Sequence, residues 1–222
     1  MGAHENEVVT KPEDDVYTQY KYNRKPRKII EQIIGIVKET DDNARILSVG
    51  SGDGYVERFI EEQTGRRIQC LDVSPKGVEI AQKRGLDARE GSVYELPFED
   101  DAFDLVLAIH IFEHLTSPEI FLAEIHRVLK HQGAFFMSLP NYGNLAYRIK
   151  YLLKGSLDTF LQIRLGHFRH YTYREACRYL EEHNFRVTRK MTFVFGHQYI
   201  GFLTKIHKNL LAFSTLLLAE PV

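Results

Sequence analysis

Cysteine is scarce in this chain: Cys70 and Cys177 are the only two in 222 residues. They lie far apart and without ligand-like spacing, so neither a disulfide framework nor a zinc knuckle is expected, and a reducing, cytoplasmic setting fits. An excess of charge of either sign is also missing. The formal net charge is -1, and the longest basic cluster, Lys21 to Lys28, is mixed with Tyr and Pro. No broad basic field is available for a phosphate backbone, and no nucleic-acid partner is expected. Long apolar runs are lacking as well. The most apolar stretch, Leu210 to Ala219, is about half of the roughly 20 residues that span a bilayer, so no transmembrane span is expected. The polar, acidic start from Met1 to Asp15 lacks the basic and apolar regions of a secretory signal. Internal repeats and low-complexity tracts are absent.

What is present suits one globular domain over 1–222, with 44% hydrophobic and 27% charged residues. It divides into a polar leader (1–25), a core (26–140) and an insertion at about 141–171 on the acceptor side. After Pro26, the residues Ile29, Ile30, Ile33, Ile34 and Val37 recur at helical spacing. A short apolar run, Ile46 to Val49, then breaks at Gly50, and a helical pattern resumes over Tyr55 to Glu62. The alternation continues with strands at Arg67 to Asp72, Leu86 to Arg89, Phe103 to Ile109 and Ala134 to Leu139, and with helices at Pro75 to Arg84 and from Ser117-Pro118 to Gly133. Strands separated by helices predict an α/β, Rossmann-like, doubly wound and mainly parallel sheet with helices on both faces. Beyond the insertion the pattern predicts a helix capped by Thr172, a strand over Phe185 to Phe195, and a last helix from about Gly201 to Leu218.

The chemistry is concentrated in Ile46-Leu47-Ser48-Val49-Gly50-Ser51-Gly52-Asp53-Gly54, followed about twenty residues later by Asp72 at the end of the next strand. Glycines let a strand turn tightly into a helix whose first N–H groups are unpaired, and a carboxylate at the second strand's end can accept hydrogen bonds from a ribose diol. A dinucleotide fingerprint would place its third glycine at position 55, which is Tyr; the glycine comes one residue earlier, at Gly54. That spacing suits a nucleoside cofactor without a pyrophosphate better than NAD. A glycine-rich turn in a ligand-free domain is the alternative.

These segments resemble the class I S-adenosylmethionine-dependent methyltransferases of the small-molecule type. The resemblance runs from about Ile46 to Asn141 and is carried by ILSVGSGDG, LDVSPKGVEIAQKRG, EGSVYELPFEDDAFDLVLAIHIFEHL and EIHRVLKHQGAFFMSLPN. It implies S-adenosyl-L-methionine as cofactor and S-adenosyl-L-homocysteine as product. It also implies that Gly50, Ser51, Gly52 and Gly54 border the methionine portion and that Asp72 holds the ribose hydroxyls. Val73 would lie against adenine, Ser92 and Val93 would face the adenine edge, and His110 would stand near the cofactor. Two departures are visible, because the family often carries an acid where Ser48 stands and an Asp where Ser92 stands. The family would also continue past Ala219 to Val222 into a seventh, antiparallel strand. A second resemblance, in SLPNYGNLAYRIKYLLKG and GHFRHYTYREACRYLEEHNFRV, is to methyltransferases found with cell-surface saccharide or methionine-pathway genes.

Methyl transfer from a sulfonium requires an acceptor lone pair aligned behind the S–CH3 bond, and positioning alone can supply ~7–11 kcal/mol. A small organic acceptor, saccharide or lipid-linked forms included, is the expected partner. Should its hydroxyl or acidic carbon need deprotonation, His110, His114, His167 and His170 are the candidate bases. Packing or surface roles are the alternative for the last two. His110, Glu113 and His114 also spell H-x-x-E-H, but a zinc peptidase needs that motif on a helix, and His110 closes an apolar strand, so no metal is expected. AIHIFEH differs from the Asp/Asn-Pro-Pro-aromatic sequence that grips a flipped base. A non-catalytic binding module and an NAD-linked oxidoreductase remain as competing readings. The sequence fixes no oligomeric state.

Overall fold

The computed structural model describes residues 27–155, 168–193, 210 and 212–222. The leader, with Tyr17, Tyr20 and Tyr22, lies outside the described residues. So do His167 and, apart from Leu210, residues 201–211 of the expected last helix.

Helix α1 (Arg27–Glu39) buries Ile29, Ile30, Ile33, Ile36 and Val37. The chain then alternates through β1 (Ile46–Val49), α2 (Tyr55–Thr64), β2 (Ile68–Asp72), α3 (Pro75–Lys83), β3 (Asp87–Glu90) and β4 (Phe103–Ile109). A 3-10 turn at Phe112–His114 leads to α4 (Pro118–Val128) and β5 (Leu129–Pro140). Last come α5 (Leu145–Lys154), α6 (Tyr173–Glu182), β6 (Phe185–Phe193) and β7 (Ser214–Pro221). The seven strands form one sheet in the order β3-β2-β1-β4-β5-β7-β6. β1 to β5 are mutually parallel, and β7 runs antiparallel to both β5 and β6.

The core is double because strand side chains alternate between faces. Along β4, Leu105 and Leu107 join a cluster with Ile33 of α1, Ile60 of α2 and Ala81 of α3. Val106 and Ala108 join the opposite cluster, with Phe121 and Ile125 of α4 and Leu180 of α6. Helices thus cover both faces, and the sheet is doubly wound and mainly parallel.

Two expectations need correction. The stretch ending near Leu218 is not a helix at its C-terminal end: Ser214–Pro221 is a strand. The seventh, antiparallel strand is therefore present. Leu216, Leu217, Leu218 and Ala219 are all buried, as expected of a strand covered on both faces, and an unbroken apolar run lacks the alternation that would distinguish it from a buried helix. Strand β5 also starts earlier than expected, at Leu129, where it pairs with Phe103 before a shift of register.

Among the described residues, no helix is long and apolar enough to cross a membrane. The span 141–171 leaves the C-terminal end of β5. Its helix α5, capped by Asn144 through the Tyr147 N–H, exposes Leu145, Ile149, Leu152 and Leu153.

Candidate active site

The turn between β1 and α2 is held in a conformation that glycine supplies: Gly50, Gly52 and Gly54 have φ of 68°, 56° and 69°. Space is restricted as well as conformation, because a Cβ at Gly50 would collide with the Ile111 side chain and one at Gly54 with Leu86. The turn hangs from β2 by three contacts. Gly50 N–H donates to the Leu71 carbonyl at 2.8 Å, Ser51 N–H to the same carbonyl at 3.3 Å, and Gly52 N–H to Asp72 Oδ2 at 2.6 Å. Asp72 Oδ1 accepts from Ser74 N–H at 2.9 Å. Burial raises the Asp72 carboxyl above its ordinary pKa, against the pull of the Ser74, Gly52 and Val73 N–H groups. A carboxylate offers about four acceptor directions, so the arrangement leaves room for a ribose hydroxyl without losing the turn.

The neighbouring sequence-predicted residues gather at the same sheet edge. Val73 follows Asp72 and leaves its apolar side chain 45% exposed. Gly91 N–H donates to the Asp72 carbonyl, Ser92 Oγ accepts from Tyr94 N–H at 3.1 Å, and Val93 is buried. The Ser51 hydroxyl is buried beside the Cys70 thiol.

Position 48 shows what replaces an acid there. Ser48 is fully buried, and its hydroxyl donates to Glu57 Oε1 at 2.8 Å. Burial pushes the Glu57 carboxyl up to about 7, partly countered by the Ser48 hydrogen bond and reinforced by the charges of Asp53 and Asp72. Sequence reasoning missed Glu57. The available signal was its position three residues before the buried Ile60, which puts a carboxylate on the apolar face of α2. It also missed Gly77 on α3, where a Cβ would stand 2.9 Å from the Gly52 carbonyl oxygen. Only glycine lets α3 approach the turn that closely.

At the end of β4, next to β1, His110 adopts a left-handed φ of 55°. Its N–H donates to the Ser138 carbonyl at 3.0 Å. Its ring Nδ1 lies 3.3 Å from Glu113 Oε1, with the His110 side chain 36% exposed and that of Glu113 only 2%. The second oxygen, Glu113 Oε2, is buried without a hydrogen-bond partner. Burial works to raise the Glu113 carboxyl, but the His110 hydrogen bond and the charges of His110 and His114 outweigh it and hold it below the usual range. The turn carrying this pair is fixed from below by Phe112, packed against Phe121, Tyr171 and Tyr179. It is fixed from the side by the Phe168 and Arg169 N–H groups, which donate to the Glu113 carbonyl.

His114 lies on the same turn, its N–H donating to Ile111. His170 sits edge-on to Tyr142, with ring centroids 4.4 Å apart, and burial lowers its pKa. His110 and His114 therefore share the Glu113 turn, and His170 follows the Phe168-Arg169 segment that is bonded to it. Among the described residues, no group of three His, Cys, Asp or Glu side chains is arranged to hold a metal.

A parallel sheet with a glycine turn after its first strand and a carboxylate closing its second defines a Rossmann-like, nucleoside-binding protein. Comparison with known proteins narrows that class. A family described as a methyltransferase domain matches residues 47–137. A probable S-adenosylmethionine-dependent methyltransferase of Mycolicibacterium smegmatis is 35% identical over 98 residues, which is 43% of this chain and 38% of that protein. The sterol 24-C-methyltransferase of Schizosaccharomyces pombe is 34% identical over 126 residues, 48% of this chain and 33% of its own length. The matched stretch thus spans well under half of either relative. In fold, the chain resembles a Thermotoga maritima protein described as an S-adenosylmethionine-dependent methyltransferase, possible histamine N-methyltransferase. The TM-score is 0.65 at 18% identity, covering 87% of this chain and 89% of that one. Residues 47–137 are thus similar to a methyltransferase domain, and the wider fold resembles that of S-adenosylmethionine-dependent methyltransferases.

Proposed function

We propose that the protein transfers the methyl group of S-adenosylmethionine to a small organic acceptor by direct in-line displacement. The acceptor's lone pair forms the new bond to carbon as the sulfur–carbon bond breaks, and S-adenosylhomocysteine leaves. Asp72 would hold the ribose hydroxyls, the turn Gly50-Ser51-Gly52 with Gly54 would border the methionine portion, and Val73, Ser92 and Val93 would flank the adenine. The observation that carries the acceptor side is the His110–Glu113 pair at the end of β4. A buried carboxylate that accepts from one ring nitrogen fixes the tautomer and leaves the other nitrogen to take a proton from the acceptor. His114 and His170 line the same side.

The names of the relatives, a sterol 24-C-methyltransferase and a possible histamine N-methyltransferase, differ in the accepting atom. They support an acceptor chosen outside the matched core, by the span 141–171 and its neighbours, with saccharide and lipid-linked acceptors both within this reading. Both cysteines are free and buried, which supports a reducing, cytoplasmic setting. One domain over the whole chain, capped by that span, is part of the same reading.

Calorimetric titration with S-adenosylmethionine and, separately, NAD tests it. Binding of the first, weakened at least tenfold by Asp72→Ala, is the expected result, because hydrogen bonds to a charged group contribute about 1.5–3 kcal/mol each. Preference for NAD, or no binding of either, would sink the assignment.

A further inference from the structure

Glu57 is a buried titratable group that the proposed reaction does not use. It stands on the first turn of α2, three residues past Gly54, and reaches back to Ser48, two residues before Gly50. Its carboxyl therefore ties the first turn of α2 to the end of β1, the two elements that the glycine turn joins. The charged and titratable groups that act on it are Asp53 of the turn, Asp72 of β2 and, from the other side of the same interaction, the Cys70 thiol. None is a cation. Arg84, which reaches the turn, is engaged with Asp53 at 2.8 Å, and Arg58 pairs with Glu61 and Glu62. Among the described residues that act on Glu57, this floor of the turn is thus acidic and includes no cation.

The cofactor supplies what this floor lacks. S-adenosylmethionine carries a sulfonium and an ammonium against one carboxylate, a net charge of about +1 at neutral pH, whereas in the product the sulfur is an uncharged thioether. A buried carboxyl ionises readily only when an opposite charge is brought near it.

We propose that Glu57 is the proton-linked counter-charge of the cofactor: its carboxyl gives up a proton to solvent when S-adenosylmethionine seats on the turn, and takes one back when S-adenosylhomocysteine takes its place. The inference rests on the cofactor assignment above. Its consequence is discrimination between substrate and product, since the ionised carboxylate favours the cationic sulfonium over the thioether. Ser48 tunes the exchange, because its hydroxyl donates to the ionised form. The carboxyl's position at about 7 places the exchange in the neutral range.

The test is calorimetric titration of the full chain at pH 7 in two buffers of contrasting ionisation enthalpy, with S-adenosylmethionine and with S-adenosylhomocysteine as separate ligands. The expected result is release of roughly half a proton with the first and markedly less with the second. Affinity for S-adenosylmethionine should also weaken towards about tenfold per pH unit as the pH falls well below 7. In Glu57→Gln, which keeps a hydrogen-bond acceptor for Ser48, the proton release attributable to this site disappears and the preference for S-adenosylmethionine over the product shrinks several-fold. In Ser48→Ala the midpoint of the pH dependence moves up. Equal proton release in wild type and Glu57→Gln would overturn the proposal by assigning the proton to Asp72 or another group. Absence of release in the wild type, or an unmoved midpoint in Ser48→Ala, would overturn it too. Failure of S-adenosylmethionine to bind the wild-type chain would instead strike at the cofactor assignment.

Discussion

His110 occupies a backbone conformation that most side chains avoid. With φ at 55° it lies in the left-handed region, where Asn, Asp and His are enriched among non-glycine residues. Replacement by alanine would therefore mix backbone strain with loss of the imidazole. Asparagine keeps the conformation and removes the base. His110→Asn should leave the S-adenosylmethionine Kd within a few-fold of wild type while lowering kcat by about 100-fold or more, the usual contribution of a positioned base. Steady-state kinetics on any acceptor found by screening, together with a binding titration, separates the two effects; an unchanged kcat would remove His110 from proton transfer. The sequence made Asp72 and the three turn glycines legible, since their order and spacing are local and their chemistry is dictated by residue type. It showed Glu113 only as a member of the H-x-x-E-H run. Its pairing with His110 depends on a tight 3-10 turn that the pattern of residues does not announce. Glu57 was hidden for a related reason: its link to Ser48 spans nine residues and exists only once α2 is rotated with Ile60 towards the sheet.

Between elements, α3 approaches the glycine turn closely at the site. Ser74 caps this helix by accepting from Gly77 N–H at 3.1 Å, with Pro75 in its first turn. Gly77 then meets the Gly52 carbonyl without a side chain between them. A methyl group here pushes two opposing effects against each other. Ala is the better helix former by about 1 kcal/mol, while overpacking against backbone costs typically about 1–3 kcal/mol. Gly77→Ala should change the thermal midpoint only modestly, yet displace Gly52 and weaken S-adenosylmethionine binding about tenfold. Thermal unfolding and calorimetry on the same preparation check this, and unchanged affinity would show that the turn absorbs the methyl group. The helices and strands of the first half were legible because each has punctuation, as with Ser74-Pro75 and Ser117-Pro118. The final element was not, since Leu216-Leu217-Leu218 carries no period, and only its pairing with Phe136, Met137 and Ser138 shows it to be a strand.

Across the whole molecule, the sheet separates two apolar clusters, and β7 contributes to both: Leu217 and Ala219 to one, Leu216 and Leu218 to the other. Deleting 214–222 would strip the partner from an edge of β5 and from the whole of β6. The expected outcome is loss of the cooperative thermal transition in calorimetry, because four buried apolar side chains and two ladders go together. A truncated chain that still melts sharply would show that β1 to β5 form a self-sufficient unit. The doubly wound arrangement itself was legible from the alternation of elements, whereas the position of β7 between β5 and β6 was not, since strand order is a matter of long-range packing.

That crossing has a meaning for synthesis on the ribosome. Emerging N-terminus first, the nascent chain can assemble β1 to β5 in sequence, but β6 leaves the exit tunnel before β7, the strand that joins it to β5, has been made. It must wait for the strand made after it to enter between them, so closure of the sheet is a late event, and a pause in translation after Phe193 would leave an unpaired edge open to neighbouring chains.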